Sequence, residues 1–348
     1  MKDILLNHWY MALPSARLQK NKMQSVEILS DPILFFRDSA GTVHAIRDLC
    51  PHRGIPLRFG RLVEDMVECH YHGWKFDGYG VCRDIPSLTS DQTLDCTKIK
   101  IRSYPVKEIS GGIWIFLSDS KDAKNDQLIT PQPPVLSDFP AAAIPQLCEV
   151  VEFPCHIDHA VIGLMDPAHG PYVHQSWFWR SSKSAYEKRK KFGPTDFGFQ
   201  MKRHEPSKNS KAYRLLGGEP TTEITFRLPG TRLEHVQVGK KSFYSLTALM
   251  PISENRTQVI QMAFWNIPWL SLAKPLIKSF SHTFLGQDLT AVTKQQQGLK
   301  YDPSLMLIND ADTQAKWYYA LKKEWDNHLT ENREFKNPVP ETVLSWKS

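Results

Sequence analysis

Cys50 and His52 stand one residue apart, Cys69 and His72 stand two apart, and sixteen residues separate the two pairs. Two thiolates and two imidazoles on paired loops are the donor set of an asymmetric [2Fe-2S] centre, with Cys on one iron and His on the other. Neutral imidazoles raise the potential of such a centre above that of an all-Cys cluster. Zinc is the structural rival, but zinc modules group Cys with Cys and His with His, whereas here each pair mixes the types. Pro51 and Gly54 bend the first loop, Gly73 follows the second, and Asp77-Gly78 beyond it carries a two-residue hairpin signal. His70 falls where any residue would serve and reads as a surface or supporting imidazole.

A second donor set lies in Ile162–His174, in the order Asp166-x2-His169-x4-His174. A helix would bring Asp166 and His169 to one face. His174, five beyond His169, would be turned away by about 140° on a regular helix. Gly170-Pro171 between them predicts the break that lets both imidazoles converge. Two converging His and a carboxylate suggest a facial triad for Fe(II), with positions open for O₂ and water; two unrelated His on a helix are the plain alternative. The carboxylate is expected downstream on a helix. In Thr283–Leu299, Leu285, Leu289, Val292, Gln296 and Leu299 form a largely apolar stripe, and Asp288 falls on it. A core-facing carboxylate is costly unless paired or metal-bound, which makes Asp288 the predicted third ligand. Asp310 and Asp312 begin the last helix, where capping and the helix dipole account for acids. His156 and His159 fit no ligand spacing and are assigned to structure or to the pocket edge.

Leu49–Trp74, with its C-x-H and C-x-x-H pairs, resembles the Rieske motif, and D-x2-H-x4-H after it resembles the catalytic domain of Rieske non-haem iron oxygenases over essentially the full length. The resemblance implies a [2Fe-2S] cluster on Cys50, His52, Cys69 and His72 and a mononuclear Fe(II) on His169, His174 and Asp288, the last matching the family's late Asp by position. It implies a homotrimer in which His72 of one subunit reaches Asp166 of the next, with Asp166 linking onward to His169 or His174. O₂ is the implied co-substrate. Electrons would come from NADH or NADPH through a separate reductase or ferredoxin, since the chain has no Gly-rich dinucleotide fingerprint and no second ferredoxin-type Cys set. The family performs hydroxylation, cis-dihydroxylation, O- or N-demethylation and ring cleavage, and a Rieske carrier without oxygenase activity is the non-enzyme alternative. Where the family often has Asn three or four residues before the Asp, this chain has Gly163 and Ile162. Asp-Pro-Ala-His with Pro-Tyr-x-His also looks like the pheophorbide and chlorophyllide oxygenase branch, which implies a bulky polycyclic substrate. The C-terminal membrane span and Cys-x-x-Cys found in some of that branch are not seen in this sequence.

The elements that must position these residues fall into two regions. Ser25–Arg37 reads as strand broken at Asp31-Pro32, and short strands continue through Thr42–Ile46, Lys98–Tyr104 and Gly112–Leu117. This predicts an all-β domain over residues 1–120, a stiff Pro-rich connector over 121–145, and a catalytic domain over 146–348. Thr221–Leu228, Leu233–Val238, Ser242–Met250 and Thr257–Trp265 have the content of a meander, with helices near Leu272–Leu299 and Asp312–Trp325. The fold class is α+β, and the family resemblance implies a helix-grip-like antiparallel sheet. Trp177, Phe178 and Trp179, with Phe264 and Trp265, suit a planar apolar substrate or an ordinary core equally.

The 348 residues carry a formal charge of +6. Lys188–Lys191 and Lys202–Lys211 concentrate positive charge, read as solvated faces, with a docking patch for an acidic electron-transfer protein as the alternative. No nucleic-acid motif accompanies them. No apolar run reaches the roughly eighteen residues of a transmembrane span, and the first residues lack a secretory h-region, which makes the cytoplasm the expected location. The other Cys (Cys82, Cys96, Cys148 and Cys155) are expected as reduced thiols. Ile267–Ile277, broken by Pro268 and Pro275, reads as core packing, with contact to a membrane surface as the alternative.

Overall fold

A computed structural model of the protein describes residues 4–118, 132–174, 185–206 and 218–348, and the chain divides into two units, Met1–Ala143 and Ile144–Ser348. Turn residues at short intervals cut the first unit into brief strands: β1 (His8–Pro14), β2 (Lys22–Ile28), β3 (Asp31–Arg37), β4 (Val43–Arg47), β5 (Arg61–Val63), β6 (Met66–Glu68), β7 (Lys75–Phe76), β8 (Cys82–Asp84), β9 (Ser103–Tyr104), β10 (Val106–Ile109) and β11 (Gly112–Leu117). They form three antiparallel sheets, in the orders β1-β11-β10, β2-β3-β4-β9 and β5-β6-β7-β8. One Cys/His loop lies between β4 and β5, the other between β6 and β7. Beneath both loops Leu34, Phe36, Ile46, Leu57, Val67 and Phe76 form a buried cluster that takes in Cys50 and Cys69.

Two turns differ from the sequence reading. The β2–β3 hairpin turns at Leu29-Ser30, with φ of 53° and 61°, while Asp31 and Pro32 lie in β3 opposite Ile28 and Glu27. Two left-handed residues match the strand twist, but Leu-Ser does not advertise such a turn. After the second Cys/His loop, Asp77-Gly78 is not a two-residue hairpin. Asp77 O accepts from Gly80 N–H, and Asp77 N–H donates to Val81 O. The Asp77 carboxylate, accepting from Tyr79 and Val81 N–H, stabilises a longer loop. Within Lys98–Tyr104 only Ser103–Tyr104 is strand. Of the Pro-rich segment, the described part folds back on the first unit, where Ala141 O and Pro134 O accept from Ser110.

The second unit contains β12 (Leu147–Phe153), β13 (Glu187–Thr195), β14 (Gly198–His204), β15 (Thr221–Arg227), β16 (Thr231–Val238), β17 (Lys241–Ser253), β18 (Arg256–Trp265) and β19 (Thr342–Lys347). Among the described residues these make one antiparallel eight-stranded sheet, in the order β12-β18-β17-β16-β15-β14-β13-β19. The predicted meander is β15 to β18; β12, β13, β14 and β19 lie outside it. The Lys188–Lys191 run lies on β13, alternating half-buried with exposed positions as a solvated sheet face does.

Among the described residues of this unit the α-helices are α1 (Ile157–Met165), α2 (Gly170–Val173), α3 (Lys274–Leu299) and α4 (Thr313–Thr330). Asp158 on α1 accepts from Lys322 Nζ at 2.7 and 2.8 Å and from Tyr318 OH at 2.6 Å, both on α4. This buried group fixes α1, and with it the segment that follows. A 3-10 helix, Pro268–Ala273, leads into α3. Ile267–Ile277 is not core throughout: Ile267 is buried, with Leu270 and Ile277 packed beside it, but Trp269, Leu272 and Leu276 face outward. Helical turns of three to four residues alternate the run between two sides, which a count of apolar residues does not resolve.

Candidate metal centres

The two Cys/His loops are built alike. Cys50 N–H donates to Ile55 O at 2.9 Å and Gly54 N–H to Cys50 O at 2.9 Å. Cys69 N–H donates to Trp74 O at 2.8 Å and Gly73 N–H to Cys69 O at 3.0 Å. Gly54 and Gly73 hold the matching left-handed corners, φ 70° and 73°, which glycine adopts without a Cβ penalty. The loops bring His52 and His72 to a ring separation of 4.5 Å. His52 stacks on Trp74 at 4.7 Å, nearly parallel. Its Nδ1 is buried without a hydrogen-bond partner, as befits a nitrogen whose partner is a metal. Burial pushes the Cys50 thiol up to about 11, so ligation would have to displace its proton. Loss of hydration, then the charge of His72, holds the pKa of His52 below its ordinary value. Two buried sulfurs and two facing imidazoles fit a [2Fe-2S] cluster with mixed ligands. His70 is exposed.

The second site starts where α1 stops. Pro167 disfavours the helical conformation for the residue before it, and Asp166 caps α1 with φ −62° and ψ 116°. Its Oδ1 accepts from Ala168 N–H at 2.7 Å. The break therefore falls at Pro167 and not at Gly170-Pro171, and Asp166 and His169 do not share a helix face. Pro171 sits in the first turn of α2, where its missing N–H is not needed. His169 precedes α2 and His174 ends it, so the short helix sets the distance between the imidazoles.

Helix α3 supplies the rest. His169 Nε2 and His174 Nε2 are 3.0 Å apart. Asp288 Oδ1 is 3.1 Å from the second and 3.7 Å from the first. Adjacent ligands on one octahedral ion, each about 2.1 Å from it, stand about 3.0 Å apart. These three atoms thus fit one face of such an ion, and among the described residues they are the one group of His, Cys, Asp and Glu found close enough to share a metal. The other side of each imidazole is engaged differently. His174 Nδ1 faces Gln287 Oε1 at 3.1 Å; an acceptor there requires the Nδ1–H tautomer and leaves Nε2 free to bind. Phe284 stacks on the His174 ring at 3.6 Å. His169 Nδ1 lies 3.7 Å from Asp166 Oδ2, an electrostatic contact without hydrogen-bond geometry. Burial opposes charge on His169, yet its interaction with Asp166, and then the charge of Asp288, raises its pKa. Burial likewise opposes charge on Asp166, and His169 with the Ala168 N–H lowers its pKa.

Gln287 and Phe284 were not found from sequence. The signal was available: they are one and four residues before Asp288, on the same turns of α3. His156 caps α1, its Nδ1 accepting from Asp158 N–H at 3.2 Å, and His159 is half-buried beside it. Asp310 is exposed and Asp312 accepts from Ile308 N–H at the start of α4. Ile162 is half-buried on α1 and Gly163 is exposed. Phe264 and Trp265 are core, the latter stacked on Phe243. Trp177, Phe178 and Trp179 lie outside the described residues.

Comparisons with known proteins agree with these two sites. Residues 8–105 match the Rieske [2Fe-2S] domain model and residues 154–318 the vanillate O-demethylase oxygenase C-terminal domain. Chlorophyllide a oxygenase of Chlamydomonas reinhardtii is 30% identical over 306 residues, 85% of this chain and 44% of that protein. The 4beta-methylsterol monooxygenase of Methylococcus capsulatus is 40% identical over 124 residues, 36% of this chain and 34% of that one. The chain therefore spans under half the length of either relative in these matches. The fold is that of dicamba monooxygenase, TM-score 0.73 at 21% identity over 94% of this chain and 98% of that one. It is also that of Pseudomonas putida CBB5 NdmA, TM-score 0.71 at 18% identity over 93% and 91%. With a Rieske domain and an oxygenase C-terminal domain in one chain, the protein belongs to the Rieske non-haem iron oxygenases.

Proposed function

We propose that the chain is the oxygenase component of a Rieske monooxygenase that hydroxylates or oxidatively demethylates an aromatic or polycyclic small molecule. The observation that carries this reading is the convergence of His169, His174 and Asp288 in a chain that also has the two Cys/His loops. A pure electron carrier has no use for the triad. Relatives and neighbours bearing the names chlorophyllide a oxygenase, 4beta-methylsterol monooxygenase and dicamba monooxygenase point to bulky or ring-shaped substrates. Dioxygenation is the second reading, since 3-chlorobenzoate-3,4-dioxygenase of Comamonas testosteroni is 33% identical over 122 residues.

When bound, the iron centres supply single-electron delivery and O₂ activation; the chain's own residues prepare the site. Gln287 and Phe284 hold His174 in one tautomer and orientation. The Asp166 carboxylate, 3.7 Å from His169 Nδ1, favours a proton on that nitrogen by its charge and so leaves Nε2 to face Asp288 and His174. Both Asp166 and His72 retain exposed surface, which suits a homotrimer in which they meet across subunits and Asp166 carries coupling onward. Electrons come from NADH or NADPH through a separate reductase or ferredoxin. Cys82, Cys96, Cys148 and Cys155 stand outside any disulfide, which suits the reducing cytoplasm. Among the described residues no helix is long and apolar enough to cross a membrane.

The test begins with iron and acid-labile sulfide on anaerobically purified protein, with EPR after dithionite reduction. Three irons, two sulfides and a Rieske-type signal per chain are expected; two irons that added Fe(II) cannot raise would leave the carrier. Turnover under ¹⁸O₂ with a surrogate reductase then separates monooxygenation, one labelled atom in product, from dioxygenation, two.

A further inference from the structure

We propose that the 3-10 helix Pro268–Ala273 and the first turns of α3 form a face that docks on an anionic lipid bilayer. Four large apolar side chains project from this stretch: Leu272 is 87% exposed, Leu276 74%, Trp269 41% and Phe280 36%. Leu272, Leu276 and Phe280 recur every four residues, one helical turn apart, and so share a side. Ile267, Leu270 and Ile277 pack inward and anchor the stretch. Lys274 and Lys278 are exposed between the apolar residues, and no acidic residue occurs from Asn255 to Gln287. Exposed Leu and Phe with a Trp, basic neighbours and no carboxylate complement the interfacial region of an anionic membrane.

The face is continuous with the metal site. Phe280 and Phe284 rings are 6.2 Å apart on successive turns, and Phe284 stacks on His174. An apolar substrate partitioned into the bilayer would meet an aromatic lead toward the donor set; this consequence rests on the oxygenase reading, the lipid contact does not.

Flotation of the full-length holoprotein with vesicles of phosphatidylcholine alone, or with about one third phosphatidylglycerol, tests it. Binding to the anionic vesicles, weakened by salt, is expected. K274E/K278E should lower partitioning at least about fivefold, the worth of one basic residue near such a surface. L272E/L276E should abolish flotation while circular dichroism and iron content stay unchanged. The proposal is overturned if neither vesicle carries the protein, or if L272E/L276E floats like the parent. It is also overturned if sedimentation shows a self-associated species that L272E/L276E dissolves while vesicles bind nothing. An inactive protein that floats supports the lipid contact and counts against the oxygenase reading.

Discussion

His174 shows how much a single imidazole depends on its neighbours. Its Nε2 can bind a metal only while Nδ1 keeps the proton, and Gln287 Oε1 at 3.1 Å requires that state. Gln287→Leu should weaken Fe(II) binding about 10- to 100-fold, measured by chelator competition, with the Rieske EPR signal unchanged. Asp166 faces the other imidazole and is not close enough to the three donor atoms to be one of them. Asp166→Asn should therefore leave iron content intact while slowing product formation by about 10- to 100-fold; unchanged turnover would remove its coupling role.

At the scale of elements, α1 and α4 hold the segment that presents Asp166, His169 and His174. Their link is the buried Asp158–Lys322 pair with Tyr318. Asp158→Ala removes the carboxylate that Lys322 and Tyr318 share in the interior and should cost about 3–5 kcal/mol in urea unfolding. The far end of α4 has a different tie. Glu324 accepts from Arg333 and from Lys336 N–H, and the Arg333 hydrogen bonds hold its carboxyl down at about 2 against an ordinary 4.5. A depressed carboxylate stabilises the fold above the unfolded value, and that stabilisation is lost as pH falls toward the folded one. The protein should therefore lose stability between about pH 4.5 and 2, and Glu324→Gln should flatten that part of a stability–pH curve followed by circular dichroism.

The whole molecule divides into two units with one donor set in each. The cluster loops draw their hydrogen bonds and core from residues of the first unit, and the triad draws on α1, α2 and α3 of the second. His169→Ala/His174→Ala should consequently keep two irons, two sulfides and the Rieske EPR signal while losing the third iron. Loss of both signals would mean that the sites do not assemble separately.

Local chemistry is what the sequence alone determined. C-x-H and C-x-x-H specify a mixed-ligand cluster because both pairs sit on tight loops whose geometry is set by the residues beside them. Asp288 was legible because an acid on an apolar helical stripe needs a partner, and the β15–β18 meander because strand periodicity is local. The tertiary structure decided what depends on distant chain. It set Gln287 and Phe284 against His174 across more than a hundred residues and added β12 and β19 at opposite ends of the sheet. It also turned Leu272 and Leu276 to the outside, because whether an apolar helical face is buried depends on what packs against it, and composition does not record that.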